Sequence, residues 1–404
     1  MDPDDETNRK RTGVKEISLT DFIFFSVGSI FLFLLLPDPA LASRLKTNET
    51  VLFFKVDAYQ KTHTENSTWF VPLHAWVYEA ENDSFWRKKL IEEIADEIDL
   101  DDKSPEYQNL QYALKMFLVD SQSFKRLNVS IDNQAFSIGP SGFNGHIYNT
   151  LKLDMSARNN EALLDIRVNE SALENKKKIR ESVIRLIPKQ GISIISDIDD
   201  TIKDSHVLDK KELIKNTFLR PAKPVASMKN WYQCIFKHFS NKDSSRAYFH
   251  YISASPWQLY PMLDSFLREY DFPEGSLYLR TFRIKDRSLL NFLKPSTDYK
   301  ISTISHLIER FPNRDFILIG DSGEHDPEIY ADILRKFPAR VKMIYIRKVP
   351  GSDLSAQRFN KAFNHIKTER WALFDEHRIA EISIVNGPDD TSGWSDKHCL
   401  VPQN

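Results

Sequence analysis

Apolar positions follow two different rhythms along this chain. From Thr50 to about Val168 they gather in short runs rich in aromatic and β-branched residues, such as residues 51–56 and 69–77, which predicts strands. Two stretches interrupt with a helical period. One carries Leu90, Ile94 and Ile98, the other Tyr107, Leu110, Leu114 and Phe117. Strand-like runs return at residues 136–138, 147–148 and 162–168, so residues 44–180 read as a β-rich accessory domain with a helical insertion. The charged segment 170–181 reads as a linker or an exposed turn plus helix. Beyond it, strand candidates at 192–195, 248–252, 277–279, 316–319 and 341–346 alternate with amphipathic helices. One helix places Leu259, Leu263, Phe266 and Tyr270 on a face, another Ile301, Ile304 and Ile308. That alternation predicts an α/β fold, a doubly wound parallel sheet over residues 181–385, followed by a short tail, 386–404.

Composition adds little to this and excludes something. The chain has 404 residues, 41% of them apolar, enough for two or three domains, and its formal net charge of −2 is not that of a nucleic-acid binder. Its two cysteines, Cys234 and Cys399, match no zinc spacing and cannot form a disulfide scaffold, although a single pairing is open. His63, His74 and His146 lie among the strands and read as ordinary surface or core histidines. The first 43 residues carry Arg9-Lys10-Arg11, an apolar run over 22–36 and Ala40-Leu41-Ala42. These are the three parts of a secretory signal, which implies a periplasmic or secreted protein; the alternative is an uncleaved membrane anchor.

Chemistry-bearing residues cluster at the ends of the later strands, where ligands bind in open α/β sheets. Asp197, Asp199 and Thr201 follow the strand at 192–195, and Ser253 follows that at 248–252. Lys300 sits near a helix start with Thr297 or Asp298 available as N-cap, and Asp321 and Asp326 follow the strand at 316–319. Any one of these is explained by helix capping. Together, in this order, they suit transfer of a phosphoryl group to a carboxylate, where a dianionic substrate must be shielded by cations and donors. Asp197, Asp199, Asp321 and Asp326 offer the hard oxygens that Mg²⁺ takes, Lys300 compensates charge, and Thr201 and Ser253 donate hydrogen bonds. The segment 203–243 is too long for a plain connection and predicts a helical insert over the mouth of the site.

The D-x-D-x-T motif of Asp197, Asp199 and Thr201, with the downstream Ser, Lys and Asp positions, resembles the haloacid dehalogenase superfamily over roughly residues 186–350. In that family the first Asp is the nucleophile and the second the acid and base, which would be Asp197 and Asp199. Longer strings narrow the resemblance. Asn216-Thr217-Phe218-Leu219-Arg220-Pro221, His250-Tyr251-Ile252-Ser253-Ala254-Ser255-Pro256-Trp257, Leu279-Arg280-Thr281-Phe282-Arg283 and Gly320-Asp321-Ser322-Gly323-Glu324-His325-Asp326 are similar to the actin-patch-protein-type phosphatidate phosphatases. The resemblance implies Mg²⁺-dependent hydrolysis of phosphatidate to diacylglycerol and phosphate, with a phospholipid at a membrane surface as partner. Arg220 and Arg280 are candidates for binding its phosphate. The basic and apolar stretch 283–294 reads either as a core helix with a solvated face or as a membrane-surface segment. The alternatives are a phosphatase for a soluble monoester and a non-catalytic binding protein on the same scaffold.

Overall fold

A computed structural model describes residues 43–61, 68–80, 85–155, 163–168, 179–180, 182–240, 247–281 and 296–381. The leader, most of the charged segment 170–181, the stretch 283–294, His63, Cys399 and the tail lie outside them. Arg44–Asn404 forms one compact unit. No helix among the described residues is long and apolar enough to cross a membrane.

The first part of this unit is β1 (Glu49–Phe53), β2 (Val56–Ala58), β3 (Thr68–Ala80), α1 (Phe85–Glu97), α2 (Pro105–Ala113), β4 (Val119–Ser121), β5 (Leu127–Ile131), β6 (Gln134–Ile138), β7 (His146–Asp154), β8 (Leu163–Val168), β9 (Ile179–Arg180) and β10 (Val183–Leu186). They make two five-stranded sheets, one ordered β4-β3-β1-β9 with β7 also on β3, the other β2-β10-β8-β5-β6. Residues from both, among them Val51, Val71, Val129, Leu153 and Ile184, share one core.

The run 51–56, expected as one strand, is divided between β1 and β2, which belong to different sheets. The break lies at Phe54 and Lys55. Lys55 gives its backbone N–H to Tyr260 Oη at 3.1 Å and its ammonium to Glu274 at 2.9 Å, so the chain changes sheet where it meets the second part of the molecule. Both faces of β1 are consequently buried. Val51 and Phe53 enter the core between the two sheets, while Leu52 and Phe54 enter a core shared with the second part.

The second part is β11 (Gly191–Ser196), α3 (Lys210–Phe218), α4 (Met228–Ser240), β12 (Tyr248–Pro256), α5 (Tyr260–Glu269), β13 (Gly275–Arg280), α6 (Thr297–Arg310), β14 (Arg314–Asp321), α7 (Asp326–Lys336), β15 (Val341–Arg347), α8 (Ala356–Ala362) and β16 (Trp371–Phe374). The strands form a six-stranded sheet ordered β13-β12-β11-β14-β15-β16, parallel throughout. Alternate residues of β14 divide between its two faces: Ile317 and Ile319 pack with α4 and α5, Phe316 and Leu318 with α6 and α7. The chain runs from β11 outward to β13, then returns to place β14 on the other side of β11. A crevice opens where the connections diverge, beyond the ends of β11 and β14. The edge strand β16 escapes a reading by pattern because it is four residues long and mostly half-buried.

A buried polar network joins the two parts. Asp57 of β2 accepts from Arg185 Nε at 2.8 Å, Ser276 Oγ at 2.7 Å and Tyr278 Oη at 2.8 Å, and lies 2.8 Å from His250 Nδ1. Burial opposes its charge, but Arg185 and His250 hold the carboxyl well below the usual carboxylate range.

Candidate active site

Each acid of the site is delivered by a strand end. Asp197 extends the pairing of β11 by one residue, its N–H donating to Ile319 O at 2.9 Å. The chain then coils, with Ile198 O accepting from the N–H groups of Ile202 and Lys203 at 2.9 and 3.0 Å. This coil returns Thr201 beneath the first acid, where its hydroxyl lies 3.0 Å from Asp197 Oδ2 and 3.3 Å from Asp321 Oδ2. Asp200 makes the coil possible. It adopts the left-handed conformation at φ 52°, and its carboxylate accepts from the backbone N–H groups of Ser205, His206 and Val207 at 2.8, 2.8 and 2.6 Å. Sequence reasoning passed over this residue.

Asp197, Asp321 and Asp326 are buried, and their facing oxygens lie within 4.8 Å of one another. Gly320 permits this crowding, because a Cβ there would collide with the Asp326 carboxylate and the Tyr330 ring. Lys300 spans the cluster, 2.7 Å from Asp197 Oδ1, 2.8 Å from Asp326 Oδ1 and 3.6 Å from Glu324. It rises from the first turn of α6, whose N-cap is Ser296 rather than the expected Thr297 or Asp298. Burial pushes Asp197 well above the usual range, with Lys300 opposing and Asp326 and Asp321 adding to the rise. Burial and the neighbouring Asp326 push Asp321 up to about 8. Three crowded carboxylates facing one lysine leave negative charge that a divalent cation would neutralise, and carboxylate oxygens are the donors such ions take. The residues present therefore fit a bound metal ion.

Asp199 stands apart from this cluster, contrary to the expectation that its carboxylate joins the metal ligands. Four donors turn it the other way: Ser205 Oγ at 2.7 Å and Lys203 Nζ at 3.4 Å on one oxygen, Ser253 Oγ at 3.0 Å and Ser255 Oγ at 3.3 Å on the other. Burial opposes its ionisation, but Lys203 and the hydroxyls outweigh it and lower its pKa. Ser253 thus serves Asp199 and not Asp197. Lys203, Ser205 and Ser255 were not singled out from sequence, although Ser255 repeats Ser253 at the strand period of two.

A narrow cleft separates these groups from an apolar wall. Asp197, Asp199, Ser253, Ser255 and Glu324 line its polar side, and Val207, Leu213 and Leu259 the other. Leu213 and Thr217 come from α3, so the helical insert does border the mouth. The two arginines proposed for phosphate are placed differently. Arg220 is exposed at the far end of α3, bound to Glu212 at 2.5 Å and Asn216 at 2.9 Å, and does not line the cleft. Arg280 ends β13 half-buried, near Tyr299 and Glu324, with burial lowering its pKa.

Residues 192–348 match the family model described as the catalytic domain of phosphatidate phosphatase APP1. An uncharacterized protein of Schizosaccharomyces pombe is 33% identical over 199 residues, covering 48% of this chain and 31% of the relative. Phosphatidate phosphatase APP1 of Saccharomyces cerevisiae is 33% identical over 160 residues, covering 39% of this chain and 26% of the relative. The chain thus spans about a third or less of the length of these curated relatives. A solved carbohydrate esterase structure aligns at a TM-score of 0.20 and 10% identity, covering 80% of this chain and 98% of that one, too remote to bear on the fold. Over residues 192–348 the chain is thus similar to phosphatidate phosphatase catalytic domains, the resemblance its motifs carried.

Proposed function

We propose, with this similarity as premise, that the chain is a phosphatidate phosphatase of the haloacid-dehalogenase-like fold, dependent on Mg²⁺ and working through an aspartyl-phosphate. The observation that carries the reading is one cleft lined both by Asp197, bound by Lys300 and Thr201 and flanked by Asp321 and Asp326, and by Asp199. Asp197, Asp321 and Asp326 would hold the Mg²⁺, which supplies charge neutralisation at the phosphoryl oxygens.

In the first half-reaction an Asp197 oxygen forms a bond to phosphorus as the ester P–O bond breaks. The leaving oxygen takes a proton from Asp199, which must enter this step protonated. In the second, water attacks phosphorus, its proton passes to Asp199, and the acyl-phosphate P–O bond breaks to restore the Asp197 carboxylate. Lys300 favours the ionised nucleophile, and the donors around Asp199 hold it as the carboxylate that accepts the water proton. The apolar wall of Val207, Leu213 and Leu259 supports an apolar leaving group, hence phosphatidate over a phosphosugar. The leader reading supports a reaction in the periplasm or outside the cell, with an uncleaved membrane anchor as the alternative.

The test is hydrolysis of liposomal phosphatidate against a panel of soluble monoesters, with and without Mg²⁺. Asp197→Asn should reduce phosphatidate turnover to background and block trapping of a BeF₃⁻ mimic. Preference for soluble esters would overturn the substrate, and unchanged mimic binding in the variant would overturn the nucleophile.

A further inference from the structure

Arg358 lies beyond residues 192–348, the segment matched by the family model. It stands on α8, outside the cleft, and its guanidinium reaches back to the loop between β14 and α7. That loop carries Asp321 at one end and Asp326 at the other. Nη1 donates to Ser322 O at 2.7 Å and to Asp353 O at 3.2 Å. Nη2 donates to Glu324 O at 2.5 Å and to Glu328 Oε2 at 3.1 Å, and Nε donates to Glu328 Oε1 at 2.8 Å. An arginine has five N–H donors in a fixed plane, and here each meets an acceptor. Four of the five acceptors belong to the span from Ser322 to Glu328.

We propose that Arg358 is a positioning residue that sets the separation of Asp321 and Asp326 and so governs the affinity of their cluster for a divalent cation. The inference rests on the metal reading of that cluster. Other fastenings are Lys300, 2.8 Å from Asp326 and 3.6 Å from Glu324, and Asp326 Oδ2, which accepts from Asp321 N at 3.3 Å; neither reaches the carbonyls in the middle of the loop. Ser322 Oγ lies 2.7 Å from Ser352 Oγ and accepts from Val349 N at 2.8 Å, both on the same segment that leads to α8. Gly323 N donates to Asp321 itself at 2.6 Å. Without the guanidinium, Ser322 O and Glu324 O lose their shared anchor, and the spacing of the two acids rests on Lys300 and the long Asp321 N–Asp326 bond alone. Lysine cannot replace it, since an ammonium is a single point of charge and cannot span two carbonyls and a bidentate carboxylate.

Calorimetric titration of the full chain with Mn²⁺ and with Mg²⁺, in the absence of any substrate, tests this. Arg358→Lys should weaken cation binding by about tenfold or more, the range seen when groups orienting metal ligands are removed. Glu328→Gln, which leaves the two carbonyl contacts in place, should weaken it less. Phosphatidate turnover in Arg358→Lys should recover at high cation concentration with unchanged KM for lipid, a pattern that general loss of structure would not give. Equal cation affinity in native protein and Arg358→Lys would overturn the proposal. Absence of cation binding to the native chain would instead overturn the metal reading, and Asp321→Asn serves as the control that marks it. Should Arg358→Lys fail to fold, the Glu328→Gln titration decides: affinity equal to native overturns the role of the clamp.

Discussion

At the scale of single residues, the site distributes two similar acids between opposite surroundings. Asp197 is pressed among like charges, whereas Asp199 receives four donors and stands clear of them. Their types and spacing were legible in the sequence, and so was the burial of Asp197, since a strand buried on both faces precedes it. The direction in which Asp199 points was not, because it depends on Ser253 and Ser255 of a neighbouring strand and on a lysine that reaches it both directly and through Ser205. Lys203 Nζ donates to Ser205 Oγ at 2.7 Å, and that hydroxyl donates to Asp199. Lys203→Met should therefore lower kcat on phosphatidate by about tenfold or more, since it acts through an acid and base group, while leaving KM and cation affinity near native. Steady-state kinetics with a parallel cation titration would check it; a loss confined to KM would contradict the arrangement.

At the scale of elements, two histidines read as unrelated prove to be partners. His74 of β3 and His146 of β7 approach to 2.8 Å, Nε2 to Nδ1, and His74 packs against Phe54, Tyr148 and Trp257 at centroid distances of 4.2, 4.2 and 4.4 Å. Trp257 continues from β12, so this aromatic cluster backs the strand that carries Ser253. The register that sets His74 opposite Tyr148 pairs strands separated by two helices and three other strands, which no local pattern reveals. Burial lowers both pKa values, that of His146 to about 3 and that of His74 well below its usual 6.5, so both rings are neutral in the folded chain. As pH falls through 6.5 the unfolded chain takes up these protons first. Each histidine then subtracts about 1.4 kcal/mol of stability per pH unit, the histidine at position 146 doing so down to its folded value. Urea unfolding of native chain and of a His74→Phe, His146→Phe double variant between pH 7 and 5 should show the native chain losing ground; a pH-independent difference would contradict neutral rings.

At the scale of the whole molecule, the division into a β-rich part and a parallel-sheet part was visible in the change of apolar period, but their union was not. Leu52, Phe54, Trp76 and Leu90 from the first part share a core with Ile194, Phe249 and Ile317 of the second. Asp57 fastens the same seam to Arg185, His250, Ser276 and Tyr278. Removing one member of such a buried pair strands the other charge, so Asp57→Leu should cost about 3–5 kcal/mol. Adding Arg185→Met should restore part of that loss. Denaturant curves for the single and double variants would measure it, and a double variant as unstable as the sum of its parts would show that the charges are not coupled.

The crevice between β11 and β14 arises from the order of the strands and needs no particular side chain to exist. Asp197 and Asp321 stand at strand ends, Lys300 and Asp326 in the first turns of the helices α6 and α7, while Leu213 and Thr217 arrive on α3, a piece of chain between two strands. On the proposed reading, α3 contributes to the cleft wall and to none of the acids, so drift in this one helix can alter what the cleft admits while Lys203 and Ser205 continue to hold Asp199. Leu213→Asp should then reduce turnover of phosphatidate relative to a short-chain soluble monoester by about 10- to 200-fold, with cation affinity unaltered. Such a chain inherits a route to new substrates that runs through one helix, and its descendants would differ most where the sheet is not.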